Sequence, residues 1–135
     1  MKILILFNFF ISSFMFGIIM VTQIINYPLF LEVNNENFSN YHYYYVRKIS
    51  ILVIPIMLAE FLISLALLFF IDSYLSLVTL IIIVLIFLST FFIQVPIHNK
   101  IKSGSDFYLF RKLINTNWIR TLLWFAKCLI ASYLI

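Results

Sequence analysis

The stretch NWIRTLLWFAK, Asn117 to Lys127, decides how the chain is read. It lies in the last apolar segment and carries two cations, Arg120 and Lys127. Their spacing puts both on one helical face with Trp124. Charges at membrane depth are costly and normally face a partner or a wet cavity. Glu60 is the only acid well inside an apolar run. The architecture therefore turns on whether Glu60 meets this stripe.

The surrounding composition is that of a bilayer protein. Of 135 residues, 64% are hydrophobic and 10% charged, whereas a soluble domain carries about 25% charge. So little polar surface cannot cover a water-exposed globule. The length suits one domain, residues 1–135, with no linker or low-complexity tract. The net charge of +4 sits in loops beside apolar segments. It reads as topology and lipid contact, not nucleic-acid binding. The single cysteine, Cys128, excludes an internal disulfide and a CxxC motif.

Four apolar segments follow in order. The first, about 3–25, is long enough to cross about 30 Å of hydrocarbon. A signal peptide is the competing reading, but the charged start is only Lys2, the apolar run is too long and no A-x-A-like site follows, so an uncleaved helix is expected. Tyr27-Pro28 is expected to end it, because the residue before proline is pushed from the α region. Residues 28–39 then form a connection. A second helix is expected over 40–71, capped by Ser39 or Asn40 and bent at Pro55. Its start, YHYYYVRK, is aromatic and basic and suits the headgroup region. Asp72-Ser73 implies an antiparallel hairpin to a third helix over 75–97. There Thr90, Gln94 and His98 recur every four residues on one face, and Pro96 loosens the last turn. A fourth helix is expected over 106–133, capped by Ser105 or Asp106, with a break near Asn115–Asn117 as the alternative.

The predicted fold is an all-α up-down-up-down bundle of four transmembrane helices, with helices two and four extended beyond one side. The positive-inside rule places connections 27–48 and 98–116 in the cytoplasm of a plasma (inner) membrane protein, with both termini outside. Arg47, Lys48, Lys100, Lys102, Arg111 and Lys112 lie in those connections.

Helix rise sets depth. Glu60 lies about 16 Å beyond Ile49, and Lys127 about 15 Å beyond Asn117. The match predicts a Glu60–Lys127 ion pair near the midplane. A protonated Glu60 and a snorkelling Lys127 are the alternatives. A shallower polar layer gathers Gln23, Asn26, Gln94, His98, Asn117, Arg120 and Thr121. With Trp124, these residues are candidates for a ligand pocket; His98, Arg120 and Gln94 are the candidates for catalysis. Interhelical hydrogen bonding that only fixes packing explains such a layer as well. His42 and His98 are the sole histidines. No HxxxH or ExxH spacing accompanies them, so no metal site is indicated, and no cofactor motif is present.

The chain resembles a family of small four-helix bacterial integral membrane proteins of unknown function. The resemblance rests on QIINYPLF (23–30), Phe38 with Tyr41-His42 and Arg47, PIMLAE ending at Glu60, TFFIQVPIHNK (90–100) and TNWIRTLLWFAK (116–127). More distantly it is similar to the superfamily that includes anthrone oxygenases. The resemblance implies the four-helix fold and marks Gln23, His42, Glu60, Gln94, His98, Asn117, Trp118, Arg120 and Lys127 as site positions. Lys127 stands where a relative's Arg would pair bidentately.

Three functions stay open: a pocket protein binding a small apolar or flat molecule, an oxidoreductase- or oxygenase-like enzyme, and a structural or accessory subunit with no site. In the enzyme, Arg120 and Gln94 would polarise a carbonyl or phenol and His98 would act as general acid or base. Membrane lipids are the expected partners. The apolar surface suits oligomer formation, although no GxxxG face supports it.

Overall fold

Uninterrupted apolar runs leave the chain one way to satisfy its backbone without water, which is helix. The computed structural model describes residues 2–71, 73–101 and 106–135, and all the regular structure in them is helical. Four helices result: α1, Lys2–Glu32; α2, Asn35–Ile71; α3, Tyr74–Ile101; and α4, Phe107–Tyr133. The first three are long and apolar enough to cross a membrane. The hydropathy of α4 is lowered by Asn117, Arg120, Thr121 and Lys127, all of them buried inside the bundle.

Three boundaries depart from expectation. α1 does not stop at Tyr27-Pro28; it continues through Tyr27–Leu29 and a tight turn, Phe30–Glu32. Tyr27 stays in the right-handed helical region, with φ −70° and ψ −43°. The reason is a π-helical turn at Thr22–Asn26, where the Tyr27 N–H reaches back to the Thr22 carbonyl. The wider ring makes room for the proline that follows.

α2 begins at Asn35 and not at residue 40, so the connection shrinks to Val33 and Asn34. Asn37 N–H bonds the Asn34 carbonyl at 3.0 Å. Glu36 lies in the first turn, where the helix dipole favours an acid. The helix runs unbroken across Pro55.

α3 extends to Ile101, past the expected end at residue 97, again through a π-helical turn, Thr90–Gln94. Its start is capped by Ser73, whose Oγ accepts from Leu75 N–H at 3.2 Å. α4 is continuous through Asn115–Asn117 and starts behind Asp106, whose Oδ1 accepts from Tyr108 N–H at 2.9 Å. Ser105 as a cap lies outside the described residues.

Two apolar clusters tie all four helices together. One holds Met15, Ile19, Met57, Ile82, Ile83, Ile86 and Trp124. The other holds Tyr27, Phe30, Phe38, Ile97, Ile101, Phe110 and Leu113. The outside is also apolar: Phe10, Ile51, Leu62, Phe69, Phe92 and Leu122 are exposed. A water-soluble monomer rarely carries so much exposed apolar surface.

Candidate functional site

The buried polar groups form two layers. In the deeper layer Lys127 Nζ lies 3.0 Å from Glu60 Oε1, with neither side chain exposed. An ammonium has three protons to place. Asn8 Oδ1 at 3.2 Å, Ser12 Oγ at 2.8 Å and Glu60 receive them. Ser12 Oγ in turn donates to Glu60 Oε1 at 3.0 Å. The second carboxylate oxygen, Oε2, accepts from the Trp124 indole N–H at 2.9 Å. Each charge is thus paired and hydrogen-bonded, which is what a buried ion pair requires. The indole serves here as a donor, not as a cation–π face.

The second layer is a chain of hydrogen bonds. Gln23 Nε2 donates to the Ile114 carbonyl at 3.0 Å, and Asn117 Nδ2 donates to Gln23 Oε1 at 2.8 Å. Asn117 Oδ1 accepts from Arg120 through Nε, at 3.0 Å, and through Nη2. Arg120 Nη1 reaches Thr90 Oγ1, and Nη2 reaches the Tyr27 hydroxyl, each at 3.3 Å. From Tyr27 the chain passes to His98 Nε2 at 3.1 Å, and from His98 Nδ1 to His42 Nε2 at 2.9 Å.

Tyr27 oxygen accepts from Arg120. The Tyr27–His98 and His98–His42 contacts each hold one proton, and which atom donates it follows the histidine tautomers. The guanidinium therefore stands at one end of a hydrogen-bonded path that ends on two imidazoles. The two rings form a pair with no third His, Cys, Asp or Glu beside them among the described residues.

Beside this chain lies a cavity of about 190 Å³. Its walls are apolar, and its polar lining includes Tyr27, Thr90, Gln94, His98 and Arg120. Val46, Ile49, Val53 and Ile54 of α2 face Phe87, Phe91 and Val95 of α3 across it. Ile54, Phe91 and Val95 are also exposed on the outer surface, so the cavity wall reaches the outside at α2 and α3. Trp124 forms part of the wall while its N–H holds Glu60.

Gln94 is buried, and its Nε2 donates to Thr116 Oγ1 at 3.0 Å. Thr116 spends its own proton on the Lys112 carbonyl at 2.7 Å, which fixes the orientation of the amide. Gln94 Oε1 is then left without a partner. A buried acceptor in that state costs about 1–3 kcal/mol until something donates to it.

The sequence-derived candidates divide three ways. Gln94, His98, Arg120 and Trp124 line the cavity. Gln23 and Asn117 stand behind Arg120 and hold it. Asn26 lies apart, its Nδ2 reaching only the Tyr45 hydroxyl at 3.5 Å. Trp118 is partly exposed on the outer surface. Of the two α2 residues that might join this layer, Ser50 lines the cavity and Arg47 is exposed.

Tyr27, the hub joining Arg120 to His98, was missed because it was read as a helix end. A signal for it exists. TQIINYP (22–28) and TFFIQVP (90–96) share the pattern Thr-x-x-Ile-amide-x-Pro. Both fold as π-helical turns whose last bond runs from the residue before proline to the threonine carbonyl. Both threonines also donate to the carbonyl four residues back, Thr22 to Ile18 at 3.0 Å and Thr90 to Ile86 at 2.8 Å. Such turns often mark functional sites. Comparison with known proteins adds no neighbour: no family model, curated protein or solved structure matches the chain.

Proposed function

We propose that this chain is a multi-pass protein of the plasma (inner) membrane that binds a small, largely apolar molecule in the cavity between α2 and α3. All four helices span the bilayer, up-down-up-down. α4 joins the other three because its polar residues point inward and its outer face, with Leu122, Phe125 and Leu129, is apolar. The excess of Lys and Arg places the ends near Tyr27, His42 and His98 in the cytoplasm and both termini outside. The cavity then opens into the cytoplasmic leaflet, and a ligand dissolved in lipid enters sideways without crossing water.

One observation carries the pocket reading: an apolar cavity lined both by Gln94, whose buried Oε1 has no partner, and by the Arg120–Tyr27–His98 chain. Apolar walls with few convergent polar groups are the usual form of a small-molecule site. Val53→Phe should fill it. Mass spectrometry of the protein purified in nanodiscs should find a co-purifying molecule in the wild type and lose it in this variant. Equal retention by both proteins, or none by the wild type, would sink the reading.

A second reading makes the same cavity catalytic, in an oxidoreductase- or oxygenase-like enzyme. The hydrogen-bonded row Tyr27–His98–His42 beside the cavity favours it, since a general acid or base must lie within hydrogen-bond reach of the group it protonates. Turnover of a bound molecule that stops in His98→Gln, with binding retained, would select this reading over simple binding.

A further inference from the structure

We infer that the ligand of this cavity carries a single negative charge, as the carboxylate head of a one-tailed amphiphile that pairs with Arg120. The inference rests on the pocket reading above and adds the chemistry of the head.

The argument starts from two buried cations treated differently. Lys127 has its counter-ion, Glu60, at 3.0 Å. Arg120 is 6% exposed and has no carboxylate within ion-pair reach among the described residues. Its partners are the neutral side chains of Asn117, Thr90 and Tyr27. The chain has five acids. Glu60 is taken; Glu32, Glu36 and Asp106 are exposed; and Asp72 follows the far end of α2. None of the four described acids is placed to serve.

A lysine in this position could shed its proton, but a guanidinium cannot. An isolated charge at membrane depth faces a partner or a cavity. Arg120 faces the cavity. Its hydrogen bonds to the chain use both protons of Nη2, the Nε proton and one proton of Nη1. One N–H on Nη1 is left for a ligand.

The rest of the cavity limits what brings the anion. One guanidinium is neutralised by one charge, which fits a carboxylate better than a phosphate dianion. A cavity of about 190 Å³ is little larger than one known to hold benzene, about 150 Å³. It encloses a head and a few methylenes, and the remaining tail must leave through the mouth between Ile54 and Phe91 into lipid.

The test compares decanoate, decanol and decyl phosphate on the full-length protein in nanodiscs, read by the fluorescence of Trp124 in a Trp118→Phe background. The wild type should bind decanoate at least about tenfold more tightly than decanol, an ordinary difference for a charge-assisted contact in a dry site. Arg120→Gln should lose that preference and keep decanol binding, while Arg120→Lys should keep part of it. If Arg120→Gln does not fold, the wild-type comparison and Arg120→Lys still decide. Equal binding of decanoate and decanol by the wild type overturns the charged head and leaves the pocket standing. Tighter binding of decyl phosphate overturns the carboxylate. Binding of none of the three overturns the pocket itself.

Discussion

Trp124 Nε1 donates to Glu60 Oε2 at 2.9 Å, so one indole forms cavity wall on its ring and closes an ion-pair network on its nitrogen. The same side chain thus lies between the cavity and the deeper ion-pair layer.

The pair should be costly to break singly and cheap to remove whole. Lys127→Ala leaves Glu60 buried without its cation, and Glu60→Gln leaves Lys127 without its anion. Each should lower stability by about 3–5 kcal/mol. The double variant Glu60→Gln/Lys127→Met should recover most of that loss. Reversible unfolding in mixed micelles reads the cycle. Additive losses would mean that the two groups do not act as a pair.

Tyr27→Phe should destabilise far more than Tyr45→Phe. The Tyr27 hydroxyl joins Arg120 to His98, and its loss strands a buried donor and a buried acceptor, about 1–3 kcal/mol. The Tyr45 hydroxyl accepts from Asn26 at 3.5 Å, at the limit of a hydrogen bond, and lies beside Thr22; its loss should cost less than about 1 kcal/mol. Equal melting shifts for the two variants would deny Tyr27 its place as hub.

The π-helical turns predict an unusual tolerance to deletion. A π turn is one residue inserted into an α-helix, so deleting Phe92, which is exposed within Thr90–Gln94, restores α-helix and keeps both flanks in register. Deleting Leu88, exposed in the regular part of α3, rotates everything after it by about 100°. The first variant should be recovered folded from membranes, and the second should not. Gel filtration of detergent-extracted protein distinguishes them, and equal recovery would contradict the account of the turn.

Sidedness is open to direct chemistry. In a Cys128→Ser background, a cysteine at Asn34 should react with an impermeant maleimide only after the membrane is opened, and one at Tyr133 in intact cells. The reverse pattern would invert the topology.

The sequence by itself determined the number of helices and the depth of most of the polar groups, though not of Asn26, which lies apart, or the part played by Tyr27. Apolar run length and the 1.5 Å rise are local quantities, and they sufficed to set Glu60 at the depth of Lys127, and Arg120 near Gln94 and His98. The helix ends were less legible. A proline often ends or kinks an α-helix, yet Pro28 and Pro96 stay inside one behind π turns, and Pro55 does so without one.

What the tertiary structure alone decided is what surrounds each of the two buried cations. Arg120 and Lys127 share one face of one helix, and helix rise matched Glu60 to the depth of Lys127 without giving the other partners of either cation. Packing against α1 and α2 brings Asn8, Ser12 and Glu60 to Lys127, and surrounds Arg120 with neutral groups beside a cavity. The difference arises between helices, from how four surfaces meet, and no periodicity within a single segment records it.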